Sequence, residues 1–275
     1  MRALGLLLCL ALTGCSVFLF HPDRNLHLTP DKLGLEYENV HLVAADGARL
    51  HGWLLLTRQK ARGIVLFLHG NAENISTHIR NVAWLPEHGY QVFLPDYRGY
   101  GMSEGNPTLA GALSDEDAAF RWLAEAPRFQ HLPIYLLGQS LGATLAAYYV
   151  GANPEVRKRL SALVLDAPLA SYRRIAREKF AAFWPTWPLQ YPLSLLFPDD
   201  YSPIHNVARI APVPLLVICS ENDGIIPVHH SLELYQAAGE PKQLLVTRGA
   251  HTATFLDTEN RRWLLEFLRQ NRRND

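Results

Sequence analysis

The sequence has few cysteines, no metal-binding motif and no excess of charge of either sign. Its 275 residues contain three cysteines, at positions 9, 15 and 219, and no Cys-x-x-Cys pair. The twelve histidines are scattered and no His-Glu-x-x-His motif occurs, so we expect neither a metal ion nor another cofactor. Lysine and arginine number 26, as do aspartate and glutamate, and no basic stripe is present. These absences argue against a zinc protein and against a partner that is a nucleic acid.

The first twenty residues are typical of an exported bacterial lipoprotein. Arg2 precedes an apolar run from Leu4 to Leu12, which has the length of a signal-peptide core. The run leads into Leu-Thr-Gly-Cys, which resembles a lipobox. We therefore predict a signal peptide over residues 1–14 and lipidation of Cys15. Two other interpretations stay open, an ordinary cleaved signal or an uncleaved anchor, because apolar residues continue to position 20.

The lipobox also predicts a location. Ser16 rather than an aspartate follows Cys15, and by resemblance to lipoprotein sorting rules this favours the outer membrane, facing the periplasm. We therefore expect the protein in the cell envelope, with the membrane as its partner through the lipid anchor. Cys9 would leave with the signal peptide, so Cys219 would be the one thiol of the folded domain and no disulfide is expected.

The rest of the chain predicts a lipidated N-terminus and tether over residues 15–36 and one α/β domain over residues 37–275. The tether is expected because positions 21–36 are polar and carry two prolines. In the domain, short apolar runs alternate with helical stretches. This alternation predicts an eight-stranded, mostly parallel sheet with helices on both faces. Two strand-like runs flank Asp46-Gly47, which is a strong hairpin signal.

Residues 171–205 depart from this alternation. They are rich in proline and in aromatic residues, among them Trp184, Trp187 and Phe197. Prolines this frequent exclude one long helix, and the aromatic content argues against a solvated linker. We therefore predict a short cap insertion over the sheet edge. Its aromatic side chains could be ordinary packing, the wall of an acyl pocket or a membrane contact.

A Gly-x-Ser-x-Gly motif lies between a predicted strand and a predicted helix. An apolar strand runs into Gly138, Ser140 follows, and a helix rich in small residues begins near Gly142. Such a turn holds its serine in a strained conformation and needs small neighbours. It lifts the hydroxyl away from the sheet and points helix N–H groups at a developing negative charge. Ser140 is therefore the candidate nucleophile, with an ordinary turn serine as the alternative.

Two further candidates follow later strands. Asp223 and His251 come after the seventh and eighth predicted strands, as Ser140 comes after the fifth. The carboxyl ends of parallel strands share one edge of a sheet, so we expect the three to converge there. Asp166 also ends a strand and is the alternative acid.

Other residues that could carry chemistry are interpreted as structural. Asp96 and Arg98 are expected to form a charged pair that braces the loop beside the pocket. His229 and His230 open a predicted helix and are expected to be solvated or capping. Cys219 is interpreted as a small buried hydrophobe and not as a nucleophile.

Taken in order, these motifs resemble the α/β-hydrolase superfamily from about residue 36 to the C-terminus. The chain is most similar to the short-cap serine hydrolases of the bud-emergence-suppressor type and their bacterial relatives. The matching segments are Asp46-Gly47, Leu68-His69-Gly70-Asn71, the loop from Pro95 to Gly105, Gly138 to Gly142, Asn222-Asp223 with Pro227, and Gly249-Ala250-His251.

The resemblance implies a serine hydrolase that cleaves acyl esters or thioesters of small molecules or lipids through an acyl-enzyme. His251 would accept the proton of Ser140, and Asp223 would hold the imidazole tautomer without taking the proton. The backbone N–H groups of Leu141 and Asn71 would form the oxyanion hole. Two alternatives stay open, a serine peptidase of the same fold and a non-catalytic envelope-binding lipoprotein.

Overall fold

Alternating apolar and polar runs form the strands and helices of residues 19–272, the part of the chain that the computed structural model describes. The strands are β1 (His21–Pro22), β2 (Tyr37–Val43), β3 (Arg49–Leu55), β4 (Gly63–Leu68), β5 (Ala72–Glu73), β6 (Tyr90–Pro95), β7 (Ile134–Gln139), β8 (Leu160–Asp166), β9 (Leu215–Ser220) and β10 (Lys242–Thr247). The helices are α1 (Ile75–His78), α2 (Leu109–Glu125), α3 (Leu141–Ala152), α4 (Pro154–Arg159), α5 (Tyr172–Ala182), α6 (Gln190–Ser194), α7 (Val228–Ala237) and α8 (Thr258–Gln270). The predicted signal peptide and Cys15 lie outside the described residues.

The main sheet has the strand order β10-β9-β8-β7-β4-β6-β3-β2. Only the β2–β3 and β3–β6 pairs are antiparallel, and the other neighbours are parallel. The prediction of an eight-stranded, mostly parallel sheet is therefore confirmed. The β2–β3 hairpin turns at Gly47, whose φ of 88° is one that L side chains rarely adopt.

Alternate side chains of β4 enter two separate halves of the core. Ile64, Leu66 and Leu68 join a cluster with buried residues of α2 and α3. Val65 and Phe67 join a second cluster with buried residues of α8. Helices therefore cover both faces of the sheet, which is why the inner strands β4, β8 and β9 are buried throughout, whereas the edge strand β2 alternates between buried and exposed residues.

The segment between β4 and β6 contains only one turn of α-helix. The chain first forms β5, then α1 spans a single turn, and two 3₁₀ turns follow, at Ile79–Asn81 and Leu85–His88. The Asn74 side chain caps α1 by accepting a hydrogen bond from the Ser76 N–H at 2.9 Å. Pro86 lacks the N–H that a longer helix would need.

Residues 19–36, expected to belong to a tether, pack against the domain instead. Strand β1 pairs in parallel with β5, and Phe20 is buried in the core. The Asp23 carbonyl accepts hydrogen bonds from the Gly101 N–H at 2.8 Å and from Asn74 Nδ2 at 3.0 Å. A polar composition does not leave a segment loose when neighbouring loops supply partners for its backbone and an aromatic side chain is buried.

Arg98 forms a buried ion pair, but its partners are Asp115 and Asp46 and not Asp96. Its Nη2 lies 2.7 Å from Asp115 Oδ1, and its Nη1 lies 2.6 Å from Asp46 Oδ2. Asp96 instead accepts the Ile75 N–H at 2.9 Å. One guanidinium therefore joins the β2–β3 hairpin, the loop after β6 and helix α2, and its planar fork suits two carboxylates at once.

Residues 171–205 contain no long helix, as their prolines predict. Helix α5 is followed by a 3₁₀ turn at Trp187–Leu189, by α6 and by a further 3₁₀ turn at Pro203–His205. Within residues 19–272, no helix combines the length and apolar character that crossing a bilayer requires.

Candidate active site

The turn between β7 and α3 holds Ser140 in a strained backbone conformation. Its φ is 54° and its ψ is −113°. The Ser140 N–H donates to the Asp166 carbonyl at 2.8 Å, and the Ser140 carbonyl accepts from the Thr144 N–H at 3.0 Å. Both backbone groups are therefore fixed by neighbouring elements. Strain of this kind persists only where the surroundings over-determine it, and it is concentrated at functional sites.

Gly138 and Gly142 allow the strand and the helix to approach each other closely. A Cβ on Gly138 would overlap the backbone of Gly142, and a Cβ on Gly142 would overlap the carbonyl oxygen of Leu68 in β4. Both positions therefore exclude any side chain. The motif serves the packing of α3 on the sheet as much as the exposure of the serine.

Three side chains from separate strand ends meet in one hydrogen-bonded row. His251 Nε2 lies 2.9 Å from Ser140 Oγ, and His251 Nδ1 lies 2.7 Å from Asp223 Oδ2. The structure therefore brings together the three residues that the sequence places at the ends of β7, β9 and β10. A nucleophile, its base and the group that orients the base require this relationship.

The environment of Asp223 keeps its carboxylate ionised. Burial would raise its pKa, but the hydrogen bonds from His251 and from the N–H groups of Ile226 and Ile225 outweigh burial and lower that pKa. The two N–H groups donate to Oδ1 at 2.9 Å and 2.8 Å, which leaves Oδ2 for the imidazole. A charged, fixed carboxylate is what stabilising an imidazolium requires.

Asp166, the alternative acid, is bonded to other groups. Its Oδ2 accepts from Gln139 Nε2 at 2.8 Å, and its Oδ1 accepts from the Thr254 hydroxyl at 2.9 Å. Burial raises the pKa of Asp166 to about 6 in spite of these bonds. Asp166 thus braces the residue before Ser140 against the loop that carries His251. The sequence did not predict this role, and the only signal for it was that Asp166 ends a strand.

Cys219 is not a competing nucleophile. The side chain is buried, and burial, together with the charges of Asp166 and Glu221, raises the pKa of its thiol to about 11. The thiolate, which is the reactive form of cysteine, is therefore scarce near neutral pH.

Glu178, His229 and His230 form the one cluster in residues 19–272 that is close enough to hold a metal ion. His230 is buried, not solvated as expected. Its Nδ1 accepts the Ala170 N–H at 3.2 Å, so its Nε2 carries the proton and donates to Glu178 at 3.1 Å. A protonated nitrogen has no lone pair for a metal, so the cluster is a hydrogen-bonded brace between α5 and α7.

A cavity of about 790 Å³ opens beside Ser140 and His251. Residues of the cap and of the N-terminal segment line it together with the sheet edge. Two charged side chains reach it, Glu73 and Lys179, and Lys179 Nζ donates to the Ile225 carbonyl at 2.7 Å. Most of the lining is apolar, as in Leu19, Leu169, Ile175, Phe180, Phe197 and Ile226. A concave apolar site with a few polar groups suits an apolar acyl chain.

The two predicted oxyanion donors, Leu141 and Asn71, both line this cavity. Leu141 is the first residue of α3, so its N–H has no acceptor within the helix. The loop that carries Asn71 is tied on both sides. The Tyr100 hydroxyl donates to the Asn71 carbonyl at 2.7 Å, and the His21 N–H donates to Asn71 Oδ1 at 3.0 Å.

The N-terminal segment is the part of the site that sequence reasoning missed. Leu19 and His21 line the cavity, whereas the sequence predicts that both belong to the tether. Their signal in the sequence was the apolar pair Leu19-Phe20 beyond the lipobox, which is as consistent with a longer leader as with a packed strand.

The site can be compared with known proteins. A family model described as Hydrolase_4, "Serine aminopeptidase, S33", matches residues 59–201. Protein YfhR of Escherichia coli K12 is 34% identical over 245 residues, which cover 87% of this chain and 81% of the relative. Protein bem46 of Schizosaccharomyces pombe is 28% identical over 219 residues, covering 78% and 70%. The structure of esterase Pf2001 from Pyrococcus furiosus matches with a TM-score of 0.73 at 25% identity, covering 92% of this chain and 97% of that chain.

Replacing Tyr100 by phenylalanine should slow any reaction that uses Ser140. The variant loses the hydroxyl that holds Asn71, and a lost hydrogen bond of about 0.5–1.5 kcal/mol corresponds to a fall in kcat of up to about tenfold. KM should change little, because this hydroxyl bonds to Asn71 and not to the cavity. Tyr135→Phe is the matched control, since its hydroxyl bonds to the distant Leu268 carbonyl at 2.9 Å. Equal kcat values in the two variants would contradict a positioning role for Tyr100.

Proposed function

Because this chain belongs to the serine aminopeptidase-type family of the α/β-hydrolase superfamily and resembles bem46, we propose that it is a serine hydrolase acting on acyl esters or thioesters. The observation that carries the proposal is the row from Ser140 through His251 to Asp223, with spacings of 2.9 Å and 2.7 Å. The mainly apolar cavity beside it supports an acyl substrate. The reaction passes through an acyl-enzyme on Ser140.

The proposed chemistry follows from the two nitrogens of the His251 imidazole, of which Nε2 faces Ser140 and Nδ1 faces Asp223. Ser140 Oγ attacks the acyl carbonyl while His251 Nε2 takes its proton, which makes a weak nucleophile competent. The tetrahedral intermediate collapses, the leaving group departs with the proton from His251, and the acyl group stays on Ser140. A water molecule then attacks the acyl carbonyl while His251 takes a proton from it. The second intermediate collapses, the carboxylic acid departs, and His251 returns the proton to Ser140 Oγ. Asp223 stabilises the imidazolium throughout and takes no proton.

The oxyanion of each intermediate lies at the start of α3. The N–H groups of Leu141 and Asn71 donate to it, and the positive end of the α3 dipole favours it further. These donors act on charge that exists in the transition state and not on the substrate, so they raise kcat more than they lower KM.

The cavity supports an apolar acyl group as the part of the substrate that is recognised. Each CH₂ group that enters contributes about 0.8 kcal/mol, which is up to about fourfold in kcat/KM. Phe180 and Phe197 are the aromatic side chains of the cap that line the cavity, and their rings pack edge to face with centroids 6.0 Å apart.

A lipid anchor in the bacterial envelope is the second part of the proposal. Its support is the lipobox that ends at Cys15, directly after an apolar run of signal-peptide length. Cells grown with labelled palmitate should incorporate the label into the wild-type protein and not into Cys15→Ala. A wild-type protein that is exported and processed but unlabelled would contradict the anchor.

A fluorophosphonate probe tests the nucleophile. We expect covalent labelling of the wild type and complete loss of labelling in Ser140→Ala, because the probe phosphonylates only an activated serine. Cys219→Ala is the control and should label like the wild type. Thermal unfolding of each variant establishes that it is folded. Labelling that persists in folded Ser140→Ala would overturn the proposal.

A serine peptidase is the second candidate function. Two observations favour it: the matching family is described as serine aminopeptidases, and Glu73 places a carboxylate at the cavity that could bind a substrate ammonium group. If the protein is an esterase, we expect fatty-acyl nitrophenyl esters to give a higher kcat/KM than unblocked aminoacyl anilides. Glu73→Gln should then change kcat/KM for the esters little. The reverse order, together with a large rise in anilide KM in Glu73→Gln, would favour the peptidase.

A further inference from the structure

The cap carries an apolar surface that the proposed reaction does not use. Trp184 is 83% exposed, Trp187 60%, Tyr191 65% and Leu195 67%. Elsewhere in residues 19–272, large exposed apolar side chains are scattered along the chain. Concentrated exposure of this kind marks an interaction site. We call this surface the cap face and define it by Phe183, Trp184, Trp187, Leu189, Tyr191 and Leu195.

We propose that the cap face docks on the surface of an anionic lipid bilayer and brings the mouth of the cavity toward it. Tryptophan and tyrosine are the residues that concentrate at membrane interfaces, because their rings are apolar and their polar atoms stay hydrated. Two of the six residues that define the cap face are tryptophans, Trp184 and Trp187, and each directly precedes a proline.

The charges around the cap face suit an anionic surface. Residues 172–196 carry four cations and one acid, in a chain whose net charge is zero. Two acids outside this range lie against these cations: Glu233 pairs with Arg174, and Asp199 lies beside Arg173. The acid, Glu178, is bonded to His229 and His230. The Arg177 guanidinium lies over the Tyr191 ring, 5.5 Å from its centroid, so a cation borders the aromatic surface directly. Each cation near an anionic bilayer adds to the attraction between the protein and the membrane.

The course of the N-terminal segment supports the same orientation. Leu19 lines the cavity together with Phe180 and Phe197 of the cap. Leu19 follows Cys15 by four positions, and four residue steps of extended chain span at most about 14 Å. A lipid on Cys15 would therefore hold the cavity within that distance of the bilayer, on the side where the chain enters the domain.

Docking of the cap face does not depend on the proposed reaction. Only the idea that the bilayer supplies acyl chains as substrate rests on the proposed function. A second copy of this chain is the other occupant that an aromatic surface could accept. The two differ in measurable ways, because a bilayer contact scales with anionic lipid content and a contact between copies scales with protein concentration.

Quenching of tryptophan fluorescence by brominated lipids tests the proposal. Full-length protein is bound to vesicles of phosphatidylcholine and phosphatidylglycerol whose acyl chains carry bromine. We expect quenching of the wild type and loss of most of it in the double variant Trp184→Phe, Trp187→Phe. Trp263→Phe is the matched control and should be quenched like the wild type, since Trp263 is 38% exposed but lies in α8.

A charge variant and a catalytic variant complete the experiment. Arg173→Gln with Arg177→Gln should reduce quenching on anionic vesicles and leave it unchanged on neutral ones. Ser140→Ala should be quenched like the wild type, so failure of docking and failure of the reaction are distinguishable. Equal quenching in the wild type and the double tryptophan variant would overturn the proposal. So would a concentration-dependent dimer that the double variant abolishes.

Discussion

The close packing of α3 on β4 and β7 is the constraint on which the site depends. Gly138 and Gly142 have no room for a side chain, so the chain must turn sharply between them, and Ser140 takes a positive φ. The same turn directs the hydroxyl to the sheet edge and leaves the Leu141 N–H at the start of a helix, free of an intrahelical acceptor. One steric requirement therefore places both the nucleophile and a donor for the charge that it creates.

The remaining parts of the site are held by elements that converge on that turn. Asp166 ties the residue before Ser140 to the loop of His251, while two backbone N–H groups fix the carboxylate of Asp223. Tyr100 and the N-terminal segment hold the loop of Asn71 from the other side. Side chains that are fixed in this way need little rearrangement during a reaction, which is the physical basis of preorganised catalysis.

Local patterns in the sequence predicted much of this arrangement, and contacts distant in sequence account for what they missed. Strands β4 and β7 are continuous apolar runs, and the elbow glycines lie two residues from Ser140, so both could be identified from neighbouring positions. Packing of the N-terminal segment depends on bonds such as that from the Gly101 N–H to the Asp23 carbonyl, and a backbone group has no sequence signature. The sequence predicts that Arg98 pairs with nearby Asp96, whereas its partners in the structure lie 17 and 52 positions away.

The central claim is that an acyl group is transferred to Ser140. Rapid acid quenching during turnover of a fatty-acyl nitrophenyl ester, followed by peptide mass spectrometry, measures this directly. The account predicts that the peptide containing Ser140 gains the mass of the acyl group, in an amount equal to the initial burst of nitrophenol. Acylation confined to any other residue, or turnover with no acylated peptide, would contradict it.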